Sequence, residues 1–296
     1  MVTIATAAYP LDILENWEAY EAKQAAWVAD ATAQGAELLV FPEYGAMELA
    51  TLAEIPIADD LEAATATVAS WIDAANAVHQ RLARQHGVYI LSGSAPVYAE
   101  NGVRGRPVNR AHFFGPEGGM EFQDKLIMTR YEREHWDVVP GAPLQVFETA
   151  LGRIGVLICY DSEFPLLGKA LESCDVVLVP SCTETLAGYW RVRIGAMARA
   201  LELQCVTVQS SVVGAAEWCD AVAMNRGTGG VFGPPDLGFP ETGVCAEGQM
   251  NEPGRTIADV NLETIAHVRE EGAVCNRRDW VRQEGAQTKL TFAQLR

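Results

Sequence analysis

Lysine is scarce in this chain. The 296 residues include four (Lys23, Lys125, Lys169, Lys289) against eighteen arginines, and 39 acidic residues leave a formal net charge of −17. Binding a phosphate backbone depends on clustered cations, so nucleic acid is excluded as a partner and anionic membrane surfaces are disfavoured. The short pair Arg277-Arg278 is too small a basic cluster to change this. Long apolar runs are missing as well, and no segment reads as a membrane span. The amino terminus has no basic stretch ahead of an apolar one, which argues against a secretory signal. Cysteine lacks pattern: the seven residues are an odd number without CxxC spacing. Free thiols in a reducing compartment are the expectation, hence a cytoplasmic location. The five histidines form no HExxH and no His/Cys spacing typical of zinc, so neither a metal nor another cofactor is expected.

What is present points to a folded α/β chain. Apolar residues make up 49% and charged residues 21%, enough for a large core and too little charge for disorder. Strands and helices alternate. Strand patterns fall at Val2–Ala8, Glu37–Phe41, Val88–Gly93, Val108–Phe114 and Met120–Asp124. Helical patterns cover Leu14–Gln34 and the alanine-rich Leu61–His86, which Gly87 ends. A hairpin is expected from Gln145–Thr149 and Arg153–Ile158. Helix Leu166–Ser173, strand Asp175–Pro180, helix Ala187–Gln204 and strand Cys205–Ser211 follow. Residues 226–253 are rich in glycine and proline and are expected to be loops with short strands. A turn is expected at Glu100-Asn101-Gly102. No linker composition interrupts the chain, so one domain over 1–296 is the reading. The stretch 272–296, with Trp280, Val281, Leu290 and Phe292 among polar residues, has no obvious place in a core and is expected to lie across a partner subunit.

Three short motifs carry chemistry. Cys159 ends the apolar run Ile154-Gly155-Val156-Leu157-Ile158 and is followed at once by Tyr160-Asp161-Ser162-Glu163-Phe164-Pro165. A run of that kind reads as a strand buried on both faces, and the polar segment after it can open a helix. A thiol at that junction lies close to backbone N–H groups not yet committed to hydrogen bonds. Packing is the commoner fate of a lone cysteine. Glu43 stands immediately after Pro42, which stops the apolar strand before it. Lys125 is an unusual lysine here, in mid-chain beside Leu126-Ile127-Met128. Singly, the glutamate and the lysine would be read as solvated surface groups.

Together, Phe41-Pro42-Glu43, Lys125-Leu126 and Cys159-Tyr160-Asp161 with Glu163-Phe164-Pro165 resemble the nitrilase superfamily of carbon–nitrogen hydrolases. The order agrees, and so do the spacings, 82 residues from Glu43 to Lys125 and 34 from there to Cys159. The strands at Val2–Ala8 and Arg255–Leu262 extend the resemblance over nearly the whole chain. It implies a four-layer α-β-β-α sandwich of two mixed sheets packed face to face, assembled as a homodimer or larger homo-oligomer. It also implies Cys159 as nucleophile, Glu43 as general base and Lys125 as the cation facing the developing oxyanion, with the Tyr160 N–H as second donor. Residue chemistry agrees: a thiol needs a base to attack an amide at neutral pH, and covalent catalysis divides a hard hydrolysis into two easier steps.

Relatives carry a second glutamate shortly after the lysine, thought to position lysine and substrate. Glu132 and Glu134 both qualify, and the Lys-Leu, Glu-Arg, Trp arrangement favours Glu132. Tyr160, Trp136 and Thr183 are candidate substrate walls, each also readable as packing. Nitrile-cleaving members usually have Cys-Trp-Glu, whereas Cys159-Tyr160-Asp161 matches amide-hydrolysing ones. The expected function is therefore hydrolysis of a small amide with release of ammonia. A nitrile or an N-carbamoyl compound is the alternative substrate, and a catalytically silent scaffold the non-enzymatic one.

Overall fold

The computed structural model describes residues 1–99, 105–287 and 292–294. The turn expected at Glu100-Asn101-Gly102, and Leu290, lie outside the described residues. The strands are β1 Val2–Pro10, β2 Leu38–Val40, β3 Tyr89–Leu91, β4 Ala95–Val97, β5 Val108–Phe114, β6 Met120–Asp124, β7 Val146–Thr149, β8 Gly152–Val156, β9 Val176–Ser181, β10 Val206–Ala215, β11 Met224–Asn225, β12 Gly230–Phe232, β13 Val244–Glu247 and β14 Gly254–Val260. The helices are α1 Trp17–Ala33, α2 Ile55–Asp59, α3 Leu61–His86, α4 Pro165–Ala170, α5 Leu186–Leu203, α6 Leu262–Glu271 and α7 Asn276–Asp279. Helix α1 starts at Trp17 rather than Leu14 because the Asn16 side chain caps it, accepting from Ala19 N at 2.8 Å. Asp60 does the same for α3 through Ala63 N, and Gly87 ends that helix in the left-handed region at φ 67°.

Two mixed sheets form the centre. One runs β4-β5-β3-β2-β1, with β14 along the other side of β1 and β6 on β5. The second runs β7-β8-β9-β10, continued by β12 and β13. They are not separate: β1 and β10 pair in parallel where Ala8–Pro10 meets Ser211–Val213. The sheets therefore part from a common seam at the carboxyl ends of their central strands. Strand alternation sorts the side chains between layers. Ala5, Ala7, Leu39, Phe41 and Ile90 pack with α1 and α3. The alternate residues Val2, Ile4, Leu38, Val40 and Leu91 pack toward the second sheet, in one cluster with Val156, Val208 and Phe232. Helix α5 covers that sheet's far face through Val192, Ala196 and Ala200. The layers thus run helix, sheet, sheet, helix.

The carboxyl-terminal stretch begins differently from expectation. Cys275 is buried, and Gln204 at the end of α5 donates to Val274 O (3.0 Å) while accepting from Arg277 N (3.3 Å). Residues 272–277 thus dock on their own chain; Val281 and Phe292 are exposed.

Two buried histidines, His79 on α3 and His112 on β5, should make the fold acid-sensitive. His79 and His112 are buried, with His79 Nδ1 on Ala75 O at 2.9 Å and Asn76 Nδ2 on His112 Nε2 at 3.3 Å. Burial pushes both pKa values down from 6.5 to about 4. The unfolded chain then binds protons that the native chain refuses, so stability falls as pH drops from 6.5 toward 4. His79→Gln should flatten that fall by about 2 kcal/mol, read by urea unfolding at pH 6.5 and pH 4.5. An unchanged slope would place the acid sensitivity elsewhere.

Candidate active site

The carboxyl ends of several strands deliver the site. Pro42 ends β2 and turns Glu43 inward, buried, against the seam between the sheets. One oxygen, Oε1, accepts from Lys125 Nζ (2.7 Å) and Asn109 Nδ2 (3.0 Å), and Oε2 accepts from the Cys182 backbone N–H (2.9 Å). Asn109 sits on β5 and is itself oriented by Ser94 Oγ, which donates to its Oδ1 at 2.6 Å. Lys125 follows β6 directly, and its N–H continues the ladder to Asn109 O (2.9 Å).

The lysine bridges two carboxylates. Besides Glu43, Nζ reaches both oxygens of Glu132, at 2.8 and 2.7 Å. Glu132 opens a short π-helical turn, Glu132–Trp136, which throws alternate residues to opposite sides. Its carboxylate points in and accepts further from Tyr44 OH (2.7 Å), Thr129 N (2.7 Å) and Thr129 Oγ1 (2.8 Å). Glu134 points out and pairs with Arg130 at 2.8 Å on the surface.

Cys159 sits beyond β8 at φ 50°, a left-handed conformation uncommon for a residue with a Cβ. A one-turn 3-10 helix, Cys159–Glu163, begins there. Asp161 N is the first to bond back, to Ile158 O at 3.1 Å, which leaves the Tyr160 N–H one position earlier outside the turn's own bonding. Asp161 faces the lysine loop: its carboxylate accepts from Leu126 N (3.1 Å) and Ile127 N (2.8 Å). The Cys159 turn and the lysine loop are thereby tied together.

Electrostatics separates the two glutamates. Burial raises the Glu43 pKa; Lys125 opposes this, and the neighbouring Glu132 charge adds to it. Burial would raise Glu132 too, yet Lys125 and the hydrogen bonds from Tyr44 and Thr129 outweigh it and hold that group low. Of the two carboxylates on one ammonium, the one with more donors is held charged and the other is the easier to protonate. The thiol of Cys159 is pushed up by burial and by Glu43, against Lys125, so it rests protonated. Lys125 is raised by the two glutamates in spite of its burial.

These groups line a cavity of about 270 Å³ that holds Glu43, Lys125, Glu132 and Cys159 together. Trp136 forms part of its wall, packed against Tyr44 with ring centroids 4.6 Å apart and planes tilted by 31°, its Nε1 donating to Thr65 Oγ1 at 2.7 Å. Tyr160 and Thr183 line an adjoining opening of about 480 Å³ that shares Thr129, Tyr131, Cys159, Cys182 and Glu184 with the first. Asn109, Tyr44, Thr129 and Asp161 join the site without having been expected there from sequence. Of these, Tyr44 and Asp161 carried a signal, since Tyr44 adjoins Phe41-Pro42-Glu43 and Asp161 belongs to Cys159-Tyr160-Asp161.

The carbon–nitrogen hydrolase family model matches residues 2–270. The chain belongs to that family. Among its relatives, a probable hydrolase of Bacillus subtilis, YhcX, is 30% identical over 94% of this chain and 53% of its own length. A deaminated glutathione amidase of Yersinia enterocolitica is 32% identical over 46% of this chain and 51% of its own. The chain thus spans about half the length of these two curated relatives. In fold it is similar to an amidase from Nesterenkonia sp. AN1 (TM-score 0.65, 24% identity, covering 95% of this chain and 100% of that one). Saccharomyces cerevisiae Nit3 is similar too (TM-score 0.71, 17% identity, 91% and 93%). Among the described residues no group of three His, Cys, Asp or Glu could hold a metal ion, and no helix is long and apolar enough to cross a membrane.

Helix α5 braces the cysteine turn of this family member from behind. Arg199 Nη1 donates to Ser162 O (2.7 Å), and Ser162 Oγ to Cys159 O (2.7 Å). One turn before Arg199, Gly195 lies so close that an added Cβ would come 2.8 Å from Ser162 O. Alanine normally helps a helix interior relative to glycine. Here Gly195→Ala should instead destabilise by about 1–3 kcal/mol and cut kcat/KM about a hundredfold by displacing the turn. Thermal melts and steady-state rates check both.

Proposed function

We propose that this protein hydrolyses the C–N bond of a small amide through an acyl-enzyme on Cys159, releasing ammonia. Glu43 takes the thiol proton as sulfur attacks the carbonyl carbon. Negative charge then develops on oxygen, beside Lys125 Nζ and within the reach assigned to the Tyr160 N–H. Collapse breaks the C–N bond, and Glu43 returns its proton to the departing nitrogen, giving the thioester and ammonia. A water, deprotonated by the same carboxylate, attacks the thioester; acid is released and the thiol regains its proton. Glu132 keeps Lys125 charged and in place. The observation that carries this reading is the convergence of a thiol, a high-pKa carboxylate and an ammonium on one cavity. A silent scaffold has no use for an ion triad whose burial costs several kcal/mol per charge.

Amide over nitrile is supported by Cys159-Tyr160-Asp161 and by relatives named as amidases, among them an omega-amidase of Xenopus laevis, 27% identical over 64% of this chain. A bifunctional nitrilase/nitrile hydratase of Nicotiana tabacum, 29% identical over 80% of the chain, favours the nitrile as the second reading. Ammonia release from matched amides, nitriles and N-carbamoyl compounds decides between them: amides should turn over, and cleavage of nitriles alone would reverse the assignment. The proposal includes a homodimer or larger assembly. Leu186, Trp190 and Ile194 recur every four residues along α5 and are exposed, an apolar stripe that a second copy would cover. Sedimentation as a monomer at micromolar concentration would remove the assembly. A cytoplasmic setting fits seven cysteines that are all free thiols.

A further inference from the structure

We propose that the substrate amide carries a second, positively charged group, and that Glu184 and Asp220 select it. This rests on Cys159 as the reacting centre of the cavity described above. At about 270 Å³ the cavity lies just below the usual range of small-molecule pockets, so the acyl part is a short chain. Its charges are lopsided. Among the described residues Lys125 is the only cation on the lining, and that ammonium is already bonded to Glu43 and Glu132. The lining also includes Glu184, just past β9, and Asp220, between β10 and β11, both open to solvent. Asp220 is held by Tyr131 OH, which donates to its Oδ2 at 2.7 Å and leaves Oδ1 available. The same lining includes Ala221, Ala223 and Met224, apolar side chains suited to a few methylenes.

The neighbouring opening does not offset this balance. Its arginines are engaged, Arg130 with Glu134 at 2.8 Å and Arg191 with Glu163 at 3.7 Å. An anionic substituent entering the first cavity would meet carboxylates and, among the described residues, no uncommitted cation, whereas an ammonium would meet a fixed acceptor. The chain's net charge of −17 draws cations to the surface in the same sense.

The test separates charge selection from hydrolysis. Cys159 is labelled with 2-aminoethyl or 2-sulfonatoethyl methanethiosulfonate, the adduct mapped by mass spectrometry, and each rate divided by that with free cysteine. The cationic reagent should react roughly tenfold faster, and a Glu184→Gln/Asp220→Asn double variant should bring the ratio to within about twofold of unity. In turnover, 4-aminobutanamide should exceed pentanamide, and pentanamide should exceed succinamate, in kcat/KM, with the difference in KM. A ratio near one in the unaltered protein, or one that survives the double variant, overturns the proposal. Reagents that discriminate by charge while no amide is cleaved would sustain charge selection and defeat the hydrolase reading instead.

Discussion

Cys159→Ala should remove turnover, by about 10⁵-fold or more in kcat, because in the proposed mechanism its sulfur forms the covalent intermediate. The fold should hardly notice. The side chain is buried and its Sγ makes only weak polar contacts, a long 3.9 Å approach to Cys182 O and the neighbouring Glu43 carboxylate, and alanine removes a single sulfur. Cys182 lines the same cavity yet cannot substitute: its Sγ is on Asn225 Oδ1 at 3.1 Å, and burial with the Glu43 charge holds its pKa high. Retained turnover in the alanine variant would mean that another nucleophile acts.

Lys125→Met carries the second large effect, on stability and activity together. It strips the shared ammonium from two buried carboxylates, and an uncompensated buried charge costs about 3–5 kcal/mol. One glutamate should then keep its proton at neutral pH. Since Lys125 lowers the Glu43 pKa and Glu132 raises it, Glu43 becomes the acid and ceases to act as base. Loss of the oxyanion donor adds about 10²–10³-fold, so a drop of at least about 10³-fold in kcat/KM is expected. The pH profile supplies the sign. The acid limb of kcat/KM should move to higher pH in Lys125→Met and to lower pH in Glu132→Gln, which removes the like charge. Movement in the same direction in both would refute the division of roles between the two glutamates.

Much of the frame was legible from periodicity. Leu61–His86, Val108–Phe114 and Met120–Asp124 emerge with the limits that the pattern gives, because their ends are set by local signals such as Asp60 and Gly87. Strand β4 was not legible: Pro96 sits in its middle and argues against a strand. It is tolerated there because β4 is an edge, paired only with β5. The seam between β1 and β10 had no sequence signal either, since it joins residues about 200 positions apart.

At the candidate site, the family resemblance of three motifs singled out Glu43, Lys125 and Cys159, and these line one cavity. The charged run Glu132-Arg133-Glu134 gave no inward direction by itself; the π-helical turn supplies it. Asn109 and Thr129 were invisible because an amide on a strand and a hydroxyl in a loop are ordinary residues until the partner they address is placed beside them.

The intact mass of the protein, acid-quenched within milliseconds of mixing with a cleaved amide, tests the central claim most directly. A shift equal to the acyl group, mapped to the Cys159 peptide, absent from Cys159→Ala and decaying as free acid appears, is the expected result. Ammonia release at full rate with no acyl mass at any time, or an acyl mass on another residue, would contradict it.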